Sequence, residues 1–382
     1  MLACRPVRER PPKPAIPRKR ALAPEISAPQ LYQVLHCAEP LRPPARHSLH
    51  GVEEVVLVRG GDSSKAKREG GVLELAIPDR FLSVTHARLR RDGDRWRVED
   101  AGSANGTFVN GEACREAVLS DGDALEMGHT ELLFRQEVRQ PKGILDVDGA
   151  TLDPPSPELA TLVPSLAADL ARLPAVARSS VPVLIGGETG TGKEVIARAI
   201  HKLSLRTGPF AAVNCGAIAT ALAESVRSAD HGTLLLEEIG DLPAAAQAAL
   251  LRVLQKKEVD VRLLAATHHD LDAAVAAKKF RADLLAKVSG FTIRLPPLRQ
   301  RREDLGLLVS GLLRKLDEQR AAKISFSVEA GRALLRYGWP MNVPELEKCL
   351  EAALALATDD IIDLEHLPPA LQRYDLKPED FR

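Results

Sequence analysis

The sequence predicts a multidomain chain: a β-sandwich, then an α/β core built around a glycine-rich phosphate loop, then a helical lid. Three observations carry this. Between Gly51 and Gln136, short apolar runs alternate with polar residues and are separated by Asn105-Gly106, Asn110-Gly111 and Asp121-Gly122-Asp123 turn signals, the pattern of hairpin-linked strands. Beyond about residue 158, continuous apolar runs alternate with helical periodicity, as in a parallel sheet covered on both faces. Between one such run and an amphipathic stretch stands Gly187-Glu188-Thr189-Gly190-Thr191-Gly192-Lys193.

The elements follow in order. Residues 1–48 are dense in Pro and Arg and poor in large apolar side chains, a composition that does not repay the entropy of ordering, so a disordered tail is expected there. Residues 49–138 hold the sandwich, with strands expected at Val55–Val58, Leu73–Ile77, Trp96–Val98, Thr107–Val109 and Glu131–Phe134. The run Asp153-Pro154-Pro155-Ser156-Pro157 marks a linker over 139–158. The α/β unit spans 159–297. Its strands are expected at Val181–Ile185, Thr233–Leu236 and Val261–Ala266, and its helices include Glu194–Leu203 and Ala244–Lys256. From Leu298 to residue 373 strands stop, and the apolar spacing of Leu346, Cys349, Leu350, Ala353 and Leu354 is helical. Residues 374–382 form a short tail.

Composition narrows the function classes. Lys plus Arg and Asp plus Glu both number 52, so no net field draws the whole molecule to nucleic acid or anionic lipid. Five cysteines lie scattered with no CxxC pair, which points to reduced thiols rather than a zinc site or disulfide framework. No apolar run approaches a membrane span, and the N-terminus lacks the apolar core of a signal peptide. A cytoplasmic protein is expected.

The loop at 187–193 carries the strongest chemical signal. Its glycines let backbone N–H groups close around phosphate oxygens, the following helix N-terminus adds partial positive charge, and Lys193 reaches the terminal phosphates. A usual Ser or Thr after the lysine is Glu194 here.

GETGTGKEVIARAIH, followed by PFAAVNCGAI, GTLLLEEIGDLP, AATHHDL, FRADLLAKV, RLPPLRQRREDL and YGWPMNVPEL, resembles in order the AAA+ domain of sigma-54-dependent transcriptional activators, over roughly residues 160–372. In that family Glu normally follows the P-loop lysine, so Glu194 agrees with it. The resemblance implies ATP and Mg²⁺ as cofactors, with Gly187, Glu188, Thr189, Gly190, Thr191, Gly192, Lys193 and Glu194 cradling the nucleotide. It makes Glu237 and Glu238 the acidic pair, Glu237 holding the metal through water and Glu238 polarising the attacking water. Asn214 would sense γ-phosphate through Glu238, and Arg281 would reach a neighbouring subunit's nucleotide in a ring of like or related chains.

Departures from the family pattern bear on turnover. The first acid is Glu237 rather than Asp, the sensor Asn is His268, and the second inter-subunit arginine is Lys287, which lacks the planar fork. The lid motif reads Trp339-Pro340-Met341-Asn342-Val343-Pro344-Glu345-Leu346, so Pro344 stands where an arginine would meet the γ-phosphate. Loss of a transition-state arginine costs on the order of 10³–10⁵ in rate. The GAFTGA loop that touches sigma-54 is absent, since Ala223-Glu224-Ser225-Val226-Arg227 passes almost at once into Gly232-Thr233, and a second hairpin is lost where Leu254–Glu258 runs into Val259–Arg262. Few residues follow Leu364–Pro369, so no DNA-reading helix-turn-helix is expected. His268-His269-Asp270 reads as sensor loop rather than metal site, because adjacent strand residues point oppositely.

Arg59, Ser83-Val84-Thr85-His86 and Asn105-Gly106-Thr107-Phe108-Val109-Asn110-Gly111 resemble a forkhead-associated (FHA) domain, a phosphothreonine reader. In that reading Arg59 supplies charge, Ser83 donates to phosphate, Asn105 clamps the peptide backbone, and His86 and Asn110 brace the loops. Val58, Val84 and Ala104 depart from the family's usual residues, which leaves open a module that binds an unphosphorylated partner. The whole reading is an ATP-binding regulatory protein with reduced or absent hydrolysis and no direct sigma-54 contact. The alternative is an active ring-forming ATPase that regulates sigma-54-dependent transcription.

Overall fold

The computed structural model describes residues 25–143, 145–216, 222–256 and 260–373. The expected tails therefore fall in part, or entirely at 374–382, outside the described residues. Thirteen strands precede the α/β unit: β1 Glu25–His36, β2 Ala45–Ser48, β3 Glu54–Arg59, β4 Lys65–Glu69, β5 Val72–Ile77, β6 Thr85–Asp92, β7 Arg95–Asp100, β8 Thr107–Val109, β9 Glu112–Cys114, β10 Glu116–Leu119, β11 Ala124–Met127, β12 Thr130–Pro141 and β13 Asp146–Asp148. They form two sheets, ordered β13-β2-β1-β12-β11-β8-β9 and β10-β7-β6-β3-β5-β4. Between the sheets Leu31, Leu57, Leu75, Ile77, Trp96, Leu132 and Phe134 are buried as one core. The Asn-Gly and Asp-Gly signals fall at its turns, with Gly93, Gly106, Gly111 and Gly122 at positive φ.

Two domain boundaries move. Residues 25–48 are strands of the sandwich rather than tail: β1 pairs β12 along its length and β2 on its other side. The segment 139–148 likewise belongs to this sheet, through the end of β12 and through β13 paired with β2. In β1, Leu31 enters the sandwich core while Tyr32, Val34 and Leu35 enter a second core shared with the lid. Apolar burial on both faces repays ordering despite the flanking Pro and Arg.

In the α/β unit, α1 (Pro164–Leu170) and α2 (Leu173–Ala177) precede β14 (Val183–Gly186), α3 (Lys193–Ser204), β15 (Phe210–Asn214), α4 (Leu222–Ser228), β16 (Thr233–Glu237), α5 (Ala244–Lys256), β17 (Arg262–Thr267), α6 (Leu271–Ala276), α7 (Ala282–Val288) and β18 (Phe291–Arg294). The five strands are parallel in the order β15-β16-β17-β14-β18, with apolar clusters on both faces. This is the sheet expected from the continuous apolar runs. Helix α4 ends at Ser228, and a turn closed by Gly232 N–H donating to Ala229 O leads straight into β16. The second shortened connection lies partly outside the described residues, at 257–259.

The lid holds α8 (Leu305–Leu316), α9 (Glu318–Ala321), α10 (Val328–Arg336), α11 (Val343–Leu356) and α12 (Pro369–Gln372). It is not wholly strand-free, since Ser325–Phe326 and Ile361–Ile362 pair in parallel. The lid packs directly on the sandwich. Phe326, Leu334, Leu335 and Val309 share a core with Tyr32, Val34, Leu35 and Cys37. Phe326 N–H donates to Cys37 O at 2.7 Å, Arg332 grips buried Glu126 with two bonds of 2.6 and 2.9 Å, and Arg302 donates to Gly122 O at 2.6 Å. Arg135 of β12 pairs with buried Glu303 at the entrance to α8.

Candidate functional site

The phosphate loop leaves β14 at Gly186 and enters α3 at Lys193, turning at Gly187, Gly190 and Gly192, all at positive φ. Gly190 is required by space as well as by conformation. A Cβ there would come within 2.5 Å of Met341 O and 2.8 Å of Pro344 Cδ, so the lid lies directly on the loop at Met341 and Pro344. Val343 N–H donates to Gly190 O at 3.2 Å, and Asn342 Nδ2 donates to Thr189 O at 2.9 Å. Two lid arginines reach the loop. Arg299 clasps Glu188 at 2.9 and 2.5 Å, and Arg301 donates to Thr191 O at 2.8 Å. Both hold the loop's own oxygens.

Lys193 folds back into the loop, its ammonium donating to Gly187 O at 2.8 Å and Glu188 O at 3.2 Å, with Glu238 Oε1 at 3.1 Å. A small, mostly apolar cleft of about 110 Å³ opens beside the loop, between Gly192, Val195, the 158–161 segment, Leu308 and Val343. Buried Asp304 ties its walls together by accepting from Thr161 Oγ1 and Leu162 N at 2.7 Å.

The acidic pair stands where β16 ends. Glu238 adopts a left-handed conformation at φ 49°, turning its carboxylate toward the loop. Burial pushes this carboxyl up, but bonds from His268 and Lys193 outweigh that and hold it below the usual range. Glu237 goes the other way: burial first, then Glu194 and Glu238 nearby, raise it. Adjacent carboxylates driven apart in this way suit different roles. The carboxylate oxygens of Glu237 are of the kind a hard cation such as Mg²⁺ takes.

One expected contact is not made. Glu238 Oε2 accepts from His268 N at 3.0 Å and meets His268 Nδ1 at 2.7 Å. With Lys193 on the other oxygen, Asn214 turns away and accepts instead from Gly216 N at 2.9 Å. The longer imidazole of His268 reaches across to the acid that the asparagine was expected to sense. Arg281, whose expected role lies across a subunit interface, is exposed at the start of α7 and forms a fork with its own neighbour Asp283 at 3.0 and 2.7 Å.

On the sandwich, Arg59 N–H donates to Ser83 O at 3.1 Å, Ser83 Oγ accepts from Ala104 N at 3.0 Å, and Asn105 Nδ2 donates to Phe81 O at 2.7 Å. The three candidate phosphopeptide residues therefore come from adjoining loops at one end of the sheets. His86 braces them from behind, accepting from Ser83 N on Nδ1 and meeting Gly106 O through Nε2 at 3.0 Å. Asn110 does likewise for the next turn, bridging Asp123 and Ala124 N. Among the described residues the Arg59 guanidinium bonds no acceptor; it lines a cleft of about 710 Å³ with Arg42 and Arg80. Ser83 and Asn105 do not line that cleft. Sequence reading did not single out Arg42 or Arg80, since isolated arginines carry no pattern of their own.

Fold and loop together define a P-loop nucleotide-binding domain of AAA+ type with its lid, carrying a β-sandwich at its N-terminal side. Residues 165–298 match the sigma-54 interaction domain, 299–380 the AAA+ ATPase lid domain, and 69–128 the FHA domain. The chain belongs to the sigma-54 activator family and carries an FHA domain. It is 39% identical over 348 residues to a Nif-specific regulatory protein of Rhodobacter capsulatus, covering 79% of this chain and 58% of that one. It is also 39% identical over 237 residues to the transcriptional regulatory protein ZraR of Salmonella typhimurium, covering 53% and 54%. The chain spans about half the length of the curated relatives it matches. The crystal structure of NtrX from Brucella abortus in complex with ATP superposes with a TM-score of 0.52 at 28% identity, covering 59% of this chain and 60% of that one.

Proposed function

We propose that this chain is an ATP-binding regulatory protein that holds nucleotide and Mg²⁺ at its phosphate loop, turns it over slowly or not at all, and reads a phosphothreonine partner through its FHA domain. The observation that carries the reading is the seat of Met341 and Pro344 on Gly190. The glycine loop, Lys193 and the acidic pair support nucleotide binding. The lid position that would supply transition-state charge is instead filled by a proline ring with nothing to donate. Arg299 and Arg301 do not substitute, because each is spent on an oxygen of the loop itself.

Direct contact with sigma-54 is not part of this reading. The turn from Ser228 to Thr233 is tight, and the path from Ser225 to Gly232 is too short to project far at about 3.3–3.6 Å per residue and return. Control of transcription would then pass through a mixed assembly with a relative, or through the phosphorylated partner. On the FHA side, the unengaged guanidinium of Arg59, in a cleft it shares with Arg42 and Arg80, supports phosphate reading.

Fluorescent nucleotide titration tests the binding half. Wild type should bind ATP·Mg²⁺ with Lys193→Ala at least tenfold weaker, and equal affinity in the two would remove the loop from the account.

A further inference from the structure

Beside the acidic pair, two imidazoles and a carboxylate meet in an arrangement that the nucleotide reading leaves largely unused. Strand β17 stops at Thr267, so His268 and His269 follow the strand rather than lie in it, and the alternation that would part their side chains does not apply. Their rings lie on the same side, centroids 3.9 Å apart and planes inclined by 38°. The backbone is pinned by His269 N donating to Thr267 Oγ1 at 3.0 Å. Gly240 admits the His269 ring: a Cβ there would come within 2.6 Å of His269 Cδ2 and 2.9 Å of Thr267 Oγ1. From the same turn Asp241 meets His269 Nε2 at 2.6 Å.

We propose that Asp241, His268 and His269 form a binding site for a divalent transition-metal ion of the class that prefers imidazole, such as Zn²⁺, Ni²⁺ or Co²⁺. One ligand atom from each residue lies within 4.8 Å of the others, and all three residues are exposed. Imidazole nitrogens select these ions over Mg²⁺ and Ca²⁺, which take oxygen. Glu238 on Nδ1 of His268 leaves Nε2 as the nitrogen open to a metal and fixes the ring's orientation, the carboxylate–histidine–metal relation that tunes many such sites. Two ligands on a tetrahedral ion at about 2.0–2.2 Å stand roughly 3.3 Å apart, so the Asp241–His269 pair need open by less than 1 Å to admit one. Three protein ligands leave a coordination position free. The two histidines line a cleft of about 700 Å³ together with Gly187 and Glu188, and His268 is bonded to Glu238 at the end of the neighbouring strand.

The site does not depend on the nucleotide reading, and the test separates the two. Tag-free, chelator-stripped full chain is titrated with Zn²⁺ by calorimetry and with Co²⁺ by its visible absorption, in millimolar Mg²⁺. One ion per chain with micromolar or tighter affinity is expected, weakened at least tenfold in His269→Ala and in Asp241→Asn, and unchanged in Lys193→Ala. Circular dichroism identical to wild type shows that each variant is folded. Absence of binding, displacement by the Mg²⁺, binding that survives the double variant His269→Ala/Asp241→Asn, or equal loss in Lys193→Ala would each overturn the proposal.

Discussion

A methyl group at Gly331 tests the joint between the sandwich and the lid. Gly331 lies within α10, where Gly→Ala in a free helix stabilises by about 1 kcal/mol. Here the added Cβ would overlap Cys37 Sγ, with Cys37 Cβ and Glu131 Cγ at 3.8 Å, and Cys37 is fully buried. Overpacking of this kind costs about 1–3 kcal/mol, so Gly331→Ala should destabilise by up to about 2 kcal/mol once the helical gain is set against it. Cys37→Ala alone removes one buried heavy atom, at about 0.5–1.5 kcal/mol by comparison with Ile→Val. In the double variant the new methyl occupies the space of the lost sulfur, and stability should return to within about 0.5 kcal/mol of wild type. The coupling is therefore about 1–3 kcal/mol, within the range for residues in contact. Urea unfolding followed by fluorescence reads both sides of the joint, because Trp96 is buried in the sandwich and Trp339 in the lid. A Gly331→Ala variant stabilised by about 1 kcal/mol, with no coupling to Cys37→Ala, would refute the packed interface.

Other consequences can be checked separately. Calorimetry against phosphothreonine peptides should find a ligand that Arg59→Ala abolishes, while equal binding of unphosphorylated peptides would show a module that has lost phosphate reading. Burial pushes the Asp304 carboxyl up to about 6 against the pull of Arg301. The native state therefore keeps a proton that the unfolded chain releases near 3.9, and this contribution is full below that value and lost as pH rises through about 6. The difference in urea stability between wild type and Asp304→Asn should show that fall between about pH 4 and 6, and a flat difference would contradict it. With sigma-54 polymerase and this protein as the only activator, ATP-dependent transcript should be absent in vitro; its appearance would mean that another surface does the work of the missing loop.

What the sequence reveals and conceals follows from how locally each feature is determined. The phosphate loop and the turns of the sandwich were legible because glycine placement is dictated by backbone conformation within a few residues. The parallel strands were legible as continuous apolar runs, doubly buried by their covering helices. The same double burial concealed β1: Leu31 faces the sandwich and Tyr32 the lid, so the strand does not alternate, and flanking Pro and Arg made it resemble a solvated tail. The joint itself, with Arg332 on Glu126 and Gly331 against Cys37, depends on residues separated widely in sequence and leaves no local pattern. At the candidate site, the residue types were readable but their partners were not. That His268 takes the oxygen of Glu238 expected to face Asn214, and that two adjacent histidines share a side, depends on where β17 ends.

Steady-state ATP hydrolysis, measured on the same preparation whose nucleotide affinity has been determined, tests the central claim most directly. The account predicts saturable ATP·Mg²⁺ binding with turnover on the order of 10³-fold or more below that of a relative retaining the lid arginine. Turnover equal to such a relative, and abolished in Glu238→Gln, would contradict it and establish the chain as a working ATPase.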